Sequence, residues 1–407
     1  MGEACCAGEA MSFPAELPIP REVLKIAQRL EEAGFETWCV GGALRDNLLG
    51  QENKDYDLAT AARPEDVQRL FRRTVPVGVE HGTIAVLDKD NRPHEVTTFR
   101  KDVLTDGRHA KVEFGVSLQD DLARRDFTIN AIAYHPIQHE WRDPFGGRAD
   151  LEKHLIRSVG DPNWRFQEDY LRILRALRFS ARFDFRIQGA TLEAARANAQ
   201  GLSMLSAERV RDEWFKGITT ARKVSKLVAL WREIGAARIW LPEIGKQETG
   251  NEKGNVDKLP RDPVLVTSLL ASDPPSLLTR LKCANRDIER GRAIRDWRER
   301  FPDPRHLPAV RRWLSETGPY ADDLLALLPA LPAKGLAVPV SRLPDVVESI
   351  RAANDPLTLK DLAVHGEDLI AAGVRAGPDV GDMLRRLLDE VLEDPARNTR
   401  EYLLTRV

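Results

Sequence analysis

Apolar positions recur at helical spacing from 21 to 35, REVLKIAQRLEEAGF, with Leu24, Ile26, Ala27 and Leu30 on one side and Gly34 as a stop signal. TWCV then reads as a short buried strand, Gly41-Gly42 as a turn, and ALRDNLLG as a short helix closed by Gly50. DYDLAT alternates as a strand does, and Pro64 opens the helix PEDVQRLF. GTIAVLDKDNRPHEVTTFR reads as two strands around a turn from Lys89 to Arg92. Up to about Asp150 the pattern predicts a mixed α/β unit on a small sheet.

Beyond that point the period changes. From Asp169 on, EDYLRILRALRFSARF, TLEAARANA, SAERVRDEWFKGIT and SKLVALWREIG are all helical by pattern, and strand signals almost vanish. A polar stretch rich in Gly and Pro, about 245 to 263, reads as a loop between helical units, and a last helical block runs from Leu357 to Leu404. The fold class expected is α+β, an α/β unit followed by an all-α remainder. At 407 residues the chain exceeds one hydrophobic core, which implies two to four domains.

No run approaches the roughly 18 to 20 uninterrupted apolar residues of a membrane span, and MGEACCAGEAMSF has no basic region followed by an apolar one. A cytoplasmic protein is expected, with Met11 an alternative start to Met1. The formal net charge of −2 decides nothing about a polyanionic partner, because clusters matter more than sums. Two arginine clusters stand out: Arg172, Arg175, Arg178 and Arg182, and a second that runs from Arg286 to Arg300. The four cysteines, Cys5, Cys6, Cys39 and Cys283, have no metal-site spacing and read as free thiols.

The chemistry concentrates in GGALRDNLLGQENKDYDLAT, residues 41 to 60. In a strand, Asp55 and Asp57 point to one face, where two carboxylates repel unless a cation lies between them. Magnesium suits such a pair, since it takes hard oxygen ligands from carboxylates, water and phosphates. A D-x-D pair is also common on solvated edge strands. The preceding Gly41-Gly42 turn favours chemistry, because it lets backbone N–H groups approach a triphosphate while Arg45 adds a charge-assisted bond.

This stretch resembles the signature of the class II tRNA nucleotidyltransferase and bacterial poly(A) polymerase family, within the polymerase beta-like superfamily. DLARRDFTINAIAY (121 to 134) resembles its second motif, which implies that Arg125 contacts the incoming nucleotide beside Asp126 and Asn130. DPFGGRADLEKHLIRSVGDP (143 to 162) is similar to the third, a hinge; EDYLRILRALRF (168 to 179) to the fourth, a protein template for the base; SAERVRDEWFKG (206 to 217) to the fifth, a helix that braces the fourth. The resemblance implies a head over 21–150, a helical neck over 151–235, a body over 236–345 and a tRNA-binding tail over 346–407, with 1–20 expected to be disordered.

On a helix, Asp169 and Arg172 are neighbours three apart and present an acceptor beside a rigid donor fork. Cytosine and adenine offer the complement, an exocyclic amine beside a ring nitrogen; uracil and guanine offer the reverse. Arg175 and Arg178 continue the same side and join the expected nucleotide-binding set.

The resemblance implies template-independent addition of CCA to the 3′ end of tRNA from CTP and ATP, with two Mg2+ ions on Asp55 and Asp57. TFRKDVLTDGRHAKVEF (98 to 114) resembles the flexible loop that switches the site from C to A, with Asp106 and Arg108 as its polar residues, and this disfavours CC-only addition. A-only addition is the runner-up, then poly(A) synthesis. A catalytically dead tRNA-binding protein is the reading from another class, opposed by the intact carboxylate pair. Partners implied are tRNA, gripped at acceptor stem and T-arm near Arg375, Arg385 and Arg386, with no membrane and no DNA. Glu95 reads equally as a third acidic group or as a partner of Arg100, and stays outside the metal set.

Overall fold

The computed structural model describes residues 13–78, 81–105, 110–245, 256–331 and 340–407. A first compact unit ends at Trp240 and a second begins at Leu241.

In the first unit, helix α1 (Arg21–Glu32) leads into strand β1 (Thr37–Val40), helix α2 (Gly42–Leu48) and strand β2 (Asp57–Thr60). Helix α3 (Pro64–Leu70) and strands β3 (Thr74–Gly78), β4 (Thr83–Leu87) and β5 (Pro93–Thr98) follow. Strands β6 (Arg100–Thr105) and β7 (Ala110–Phe114) make a separate hairpin, and Asp106 and Arg108 lie outside the described residues. Helix α4 (Leu118–Ala123) and short strands β8 (Ala133–Tyr134) and β9 (Trp141–Arg142) complete the head. The seven-stranded sheet has the order β3-β4-β5-β2-β1-β8-β9, with β2 and β5 parallel and its other pairs antiparallel.

Alternation along β1 and β2 buries both faces of the sheet. Cys39 and Leu58 join Ile26, Leu30 and Leu44 on the α1 side. Trp38, Val40 and Ala59 face Leu118 and Leu122 on the other. A third cluster packs Phe127, Ile129 and Ile132 against Phe179 and Phe183, so the head and the helix that carries these two phenylalanines share one core.

Three local expectations need correction. The stretch 1–20 was expected to be disordered, yet from Phe13 on it packs on the head: Phe13 stacks on Trp141 with centroids 4.4 Å apart, and Trp141 Nε1 donates to the Pro14 carbonyl. The strand expected over DYDLAT starts only at Asp57. Asp55 lies in the loop before it, where its N–H donates to Asn53 Oδ1, so strand alternation does not set its direction.

The third correction concerns the template helix. Helices α5 (Gly147–Glu152), α6 (Pro162–Glu168) and α7 (Leu171–Phe183) follow in order, and Asp169 stands between the last two in extended conformation, φ −155° and ψ 106°. Asp161 caps α6 by accepting from the Asn163 and Trp164 N–H groups, while Asp169 Oδ1 accepts the Leu171 N–H. That local side-chain bond competes with the helix ladder and restarts the chain at α7. Helices α8 (Gly189–Ala197), α9 (Ala207–Thr220) and α10 (Val224–Glu233) follow, α9 and α10 packing on α7 and α8 on α6.

The described part of the second unit is helical. In the helix Asn285–Trp297, Arg290 binds both Asp262 and Asp323, and beyond its end Arg298 donates to the carbonyls of Ser268 and Ala271. Two of the six arginines in the second cluster, Arg290 and Arg298, are thus structural rather than part of a solvated face. The C-terminal core gathers Leu362, Val364, Leu369, Leu387, Val391 and Leu403. Much of the polar stretch expected as a loop, 246–255, lies outside the described residues.

Candidate active site

A cleft of about 610 Å³ opens between β2, the segment after α4, α7 and α9. Gly41, Gly42, Arg45, Asp57, Arg125, Asp169, Arg172, Arg175 and Arg178 all line it, as do Arg209 and Arg182. Asp55 does not line it but follows the loop that leads to Asp57.

The glycine turn is required sterically. Gly41 has φ +81°, and a Cβ there would lie 3.2 Å from Arg125 Nη1 and 3.5 Å from Asp57 Oδ2. Its absence lets a cation and a carboxylate close on the turn from two sides. Arg125 is anchored by Nη2 to Asp121 Oδ2 at 3.2 Å, and its Nε has no partner among the described residues.

Asp57 carries the electrostatic signature of the site. Burial, then Glu95, and to a smaller extent Asp55 push its carboxyl up to about 6, against the pull of Arg125. Pairing of Leu58 with Val96 places Glu95 beside Asp57 on the neighbouring parallel strand. Register, invisible in the sequence, brings this third acid close. His94 on β5 pairs with Asp88 at 3.2 Å.

Arg45 departs from its expected role as a phosphate ligand. It is 4% exposed, its guanidinium lies 5.0 Å from the Phe179 ring and 4.7 Å from the Phe183 ring, and its fork is committed to protein. Nε and Nη2 donate to Asp46 Oδ1 at 2.9 and 2.7 Å, and Nη1 to Asn130 Oδ1 at 2.5 Å. Asp46 Oδ2 also accepts from Arg182 and Asn53. Arg45 is therefore a buttress that ties α2 to α7.

The chain of bonds continues through Asn130 Nδ2 to Asp126 Oδ1 at 2.8 Å, and from Arg175 Nε to Asp126 Oδ2 at 2.7 Å. Burial alone would raise the Asp126 carboxyl, but Arg175, Asn130 and the Phe127 N–H bring it down to about 2. Arg178 lies 4.2 Å over the Phe179 ring and donates to the buried Glu213 at 2.6 Å. Glu213 belongs to α9, which gives the expected bracing of the fourth motif by the fifth a concrete contact.

Asp169 and Arg172 both face the cleft, held by different neighbours. Asp169 Oδ2 accepts from Arg209 Nη2 at 2.7 Å, while Arg172 binds Glu168 and the carbonyls of Arg165 and Arg124. Arg209, Asp46 and Glu213 are the residues that sequence reasoning left unassigned. Arg209 and Glu213 stood in a segment read only as a brace, and no local pattern shows a partner 40 residues away.

Three family models match the chain: the Poly A polymerase head domain over 37–157, a probable RNA- and SrmB-binding site of polymerase A over 184–247, and a putative tRNA nucleotidyltransferase domain 2 over 341–407. The CCA-adding enzyme of Limosilactobacillus fermentum is 34% identical over 406 residues, 97% of each chain. That of Streptococcus mutans is 34% identical over 408 residues, 94% of this chain and 96% of the other. Among solved structures, the Bacillus stearothermophilus CCA-adding enzyme in complex with CTP superposes with a TM-score of 0.77 at 31% identity, covering 95% of this chain and 97% of that one. Similarity at that level along nearly the whole length, with the carboxylate and arginine cleft in place, makes this chain a member of the CCA-adding enzyme family of tRNA nucleotidyltransferases.

Proposed function

We propose that the cleft transfers nucleoside monophosphates from CTP and ATP to the 3′-hydroxyl of tRNA without a nucleic-acid template and releases pyrophosphate, building CCA. The observation that carries this is the pairing of Asp57, pushed up to about 6, with a cleft that nine arginines help to line. Full-length relatives named for CCA addition support it.

The donor set fits a hard divalent cation. Carboxylates that raise one another are short of positive charge, and oxygen-bound magnesium supplies it. Asp55 and Asp57 would hold two magnesium ions, with Glu95 on the neighbouring strand adding to the negative field at Asp57. When bound, magnesium neutralises the triphosphate and acidifies the attacking hydroxyl.

The chain's own groups do the rest. Gly41 and Gly42 leave room for phosphates, and Arg125, with Nε free and Nη1 over the turn, bonds the sugar and phosphates. Asp169 and Arg172 read the base, Arg175 and Arg178 hold that reading surface in place, and Arg45 fixes the turn against it. Asp106 and Arg108 are assigned to the loop that switches C to A. Arg375, Arg385 and Arg386, all exposed, would grip acceptor stem and T-arm through phosphate charge and A-form shape. The cytoplasm is the proposed compartment; no helix among the described residues is long and apolar enough to cross a membrane.

The test is nucleotide incorporation into three tRNA transcripts, ending before CCA, after C and after CC, with CTP, ATP or both. Three residues added to the shortest transcript, only with both nucleotides present, is the expected result. A single A added only to the transcript ending in CC would instead make this an A-adding enzyme. Long tails on an unstructured primer with ATP would make it a poly(A) polymerase.

A further inference from the structure

Strand β2 begins at Asp57, whose direction is set by its pairing with Val40 of β1. Asp55 stands two residues before that ladder and is exposed, so another device must hold it. Asn53 supplies one. Its Oδ1 accepts the Asp55 N–H at 2.9 Å, a turn that ties the chain back to its own side chain two residues earlier. Its Nδ2 donates to Asp46 Oδ2 at 3.2 Å, and its main-chain carbonyl accepts from Asn47 Nδ2 at 2.7 Å.

The two partners leave the Asn53 amide one orientation. A main-chain N–H needs the amide oxygen and a carboxylate needs the amide nitrogen, so turning the side chain over would lose both bonds. Asp46, at the far end, is 3% exposed and saturated: Oδ1 takes Arg45 Nε and Nη2, and Oδ2 takes Asn53 and Arg182 of α7. The loop that carries Asp55 and the helix that carries Arg172 are thereby tied to one carboxylate oxygen. Asn47 completes the staple by donating to the Ala43 carbonyl within α2. Asp55 is near enough to Asp57 to help raise its carboxyl.

Resting on the CCA-adding reading above, we propose that Asn53 is a positioning residue for magnesium: it holds the Asp55 main chain against the buried Asp46, so that the Asp55 carboxylate is arranged with Asp57 before the ion arrives. A loop without that staple must be ordered as the ion binds, and the lost freedom is subtracted from the affinity. Asn53 itself touches neither nucleotide nor ion in this role, so its loss is overcome by raising the ion concentration.

The test is made on the full chain with Asn53→Ala, by two measurements. Mn2+ binding is titrated beside a nonhydrolysable CTP analogue, read from the EPR signal of the unbound ion, and addition from CTP to a transcript ending before CCA is followed as magnesium is varied. We expect the Mn2+ dissociation constant and the half-saturating magnesium concentration each to rise about threefold to tenfold, the worth of one or two hydrogen bonds in the loop, with kcat at saturating magnesium within about twofold of wild type. Asn53→Ser, whose hydroxyl still accepts the Asp55 N–H but does not extend to Asp46, should fall between the two. Asn53→Ala placed on Asp55→Ala should weaken Mn2+ binding by less than about twofold further, because one residue acts through the other. A fall in kcat at every magnesium concentration with unchanged half-saturation makes Asn53 a loop brace only and overturns the proposal, as do losses that multiply in the double variant. If Asn53→Ala does not fold, Asn53→Ser carries the test and must show both metal constants raised; unchanged constants overturn the proposal there too. Transfer by wild type with unchanged metal constants in the variants overturns the Asn53 assignment alone, whereas no transfer by wild type overturns the CCA-adding reading with it.

Discussion

At Asp57, function and stability oppose each other. An unfolded aspartate ionises near 4 and the folded one at about 6, so between those values the folded chain holds a proton that the unfolded chain has lost. Without magnesium, stability should therefore decrease as pH rises from about 4 through about 6 and level off above, by up to roughly 3 kcal/mol. Asp57→Asn should remove this slope and raise the melting temperature at pH 7.5 in chelator, while abolishing nucleotide incorporation. Thermal melts of both proteins across pH 4.5 to 8 check it, and an unchanged slope in the variant would sink the assignment. Asp57 and the glycine turn were legible as neighbours because they lie within twenty positions, whereas Asp55 does not line the cleft. For Arg45 part of the signal is remote: Asp46, which takes Nε and Nη2, is the next residue, but Asn130, which takes Nη1, and Phe179, which covers its face, are 85 or more positions away.

Helix α7 shows what periodicity can and cannot convey. The buried side of α7, with Ile173, Ala176 and Leu177 all fully buried, follows from spacing alone. The break at Asp169 does not, since its cause is one carboxylate bonding the Leu171 N–H two residues on. Packing of α7 on α9 is set by the Arg178–Glu213 pair, whose members are 8% and 5% exposed. Removing one partner of a buried pair strands the other charge, which costs about 3 to 5 kcal/mol; Arg175, 3.9 Å from Glu213, holds the loss near the lower figure. Arg178→Ala should thus lower the urea midpoint markedly, and the double variant Arg178→Met with Glu213→Met should recover most of it. A double variant no more stable than the single would show that α9 braces α7 through its apolar contacts, Trp214 and Ile218, instead.

Over the whole molecule, the net charge of −2 hides a division of labour that only the structure separates. Arg290 and Arg298 are bound to their own unit, whereas Arg375 and Arg386 stand exposed and Arg385 bonds Asp382, an exposed neighbour one turn away. An exposed ion pair is worth little and opens readily toward a phosphate. Each arginine that neutralises a phosphate releases a counterion, so tRNA affinity should carry a salt slope of about 0.7 to 0.9 per contact. Arg385→Glu with Arg386→Glu should weaken tRNA binding, reduce the slope of log affinity against log salt by roughly 1 to 2, and leave the affinity for CTP alone unchanged, because the cleft lies wholly in the first unit. Filter binding between 50 and 200 mM salt separates the outcomes. A parallel downward shift with no change in slope would mean that the helix Pro378–Glu393 was disturbed and that its arginines do not meet phosphate, leaving the tRNA grip to another face of the second unit.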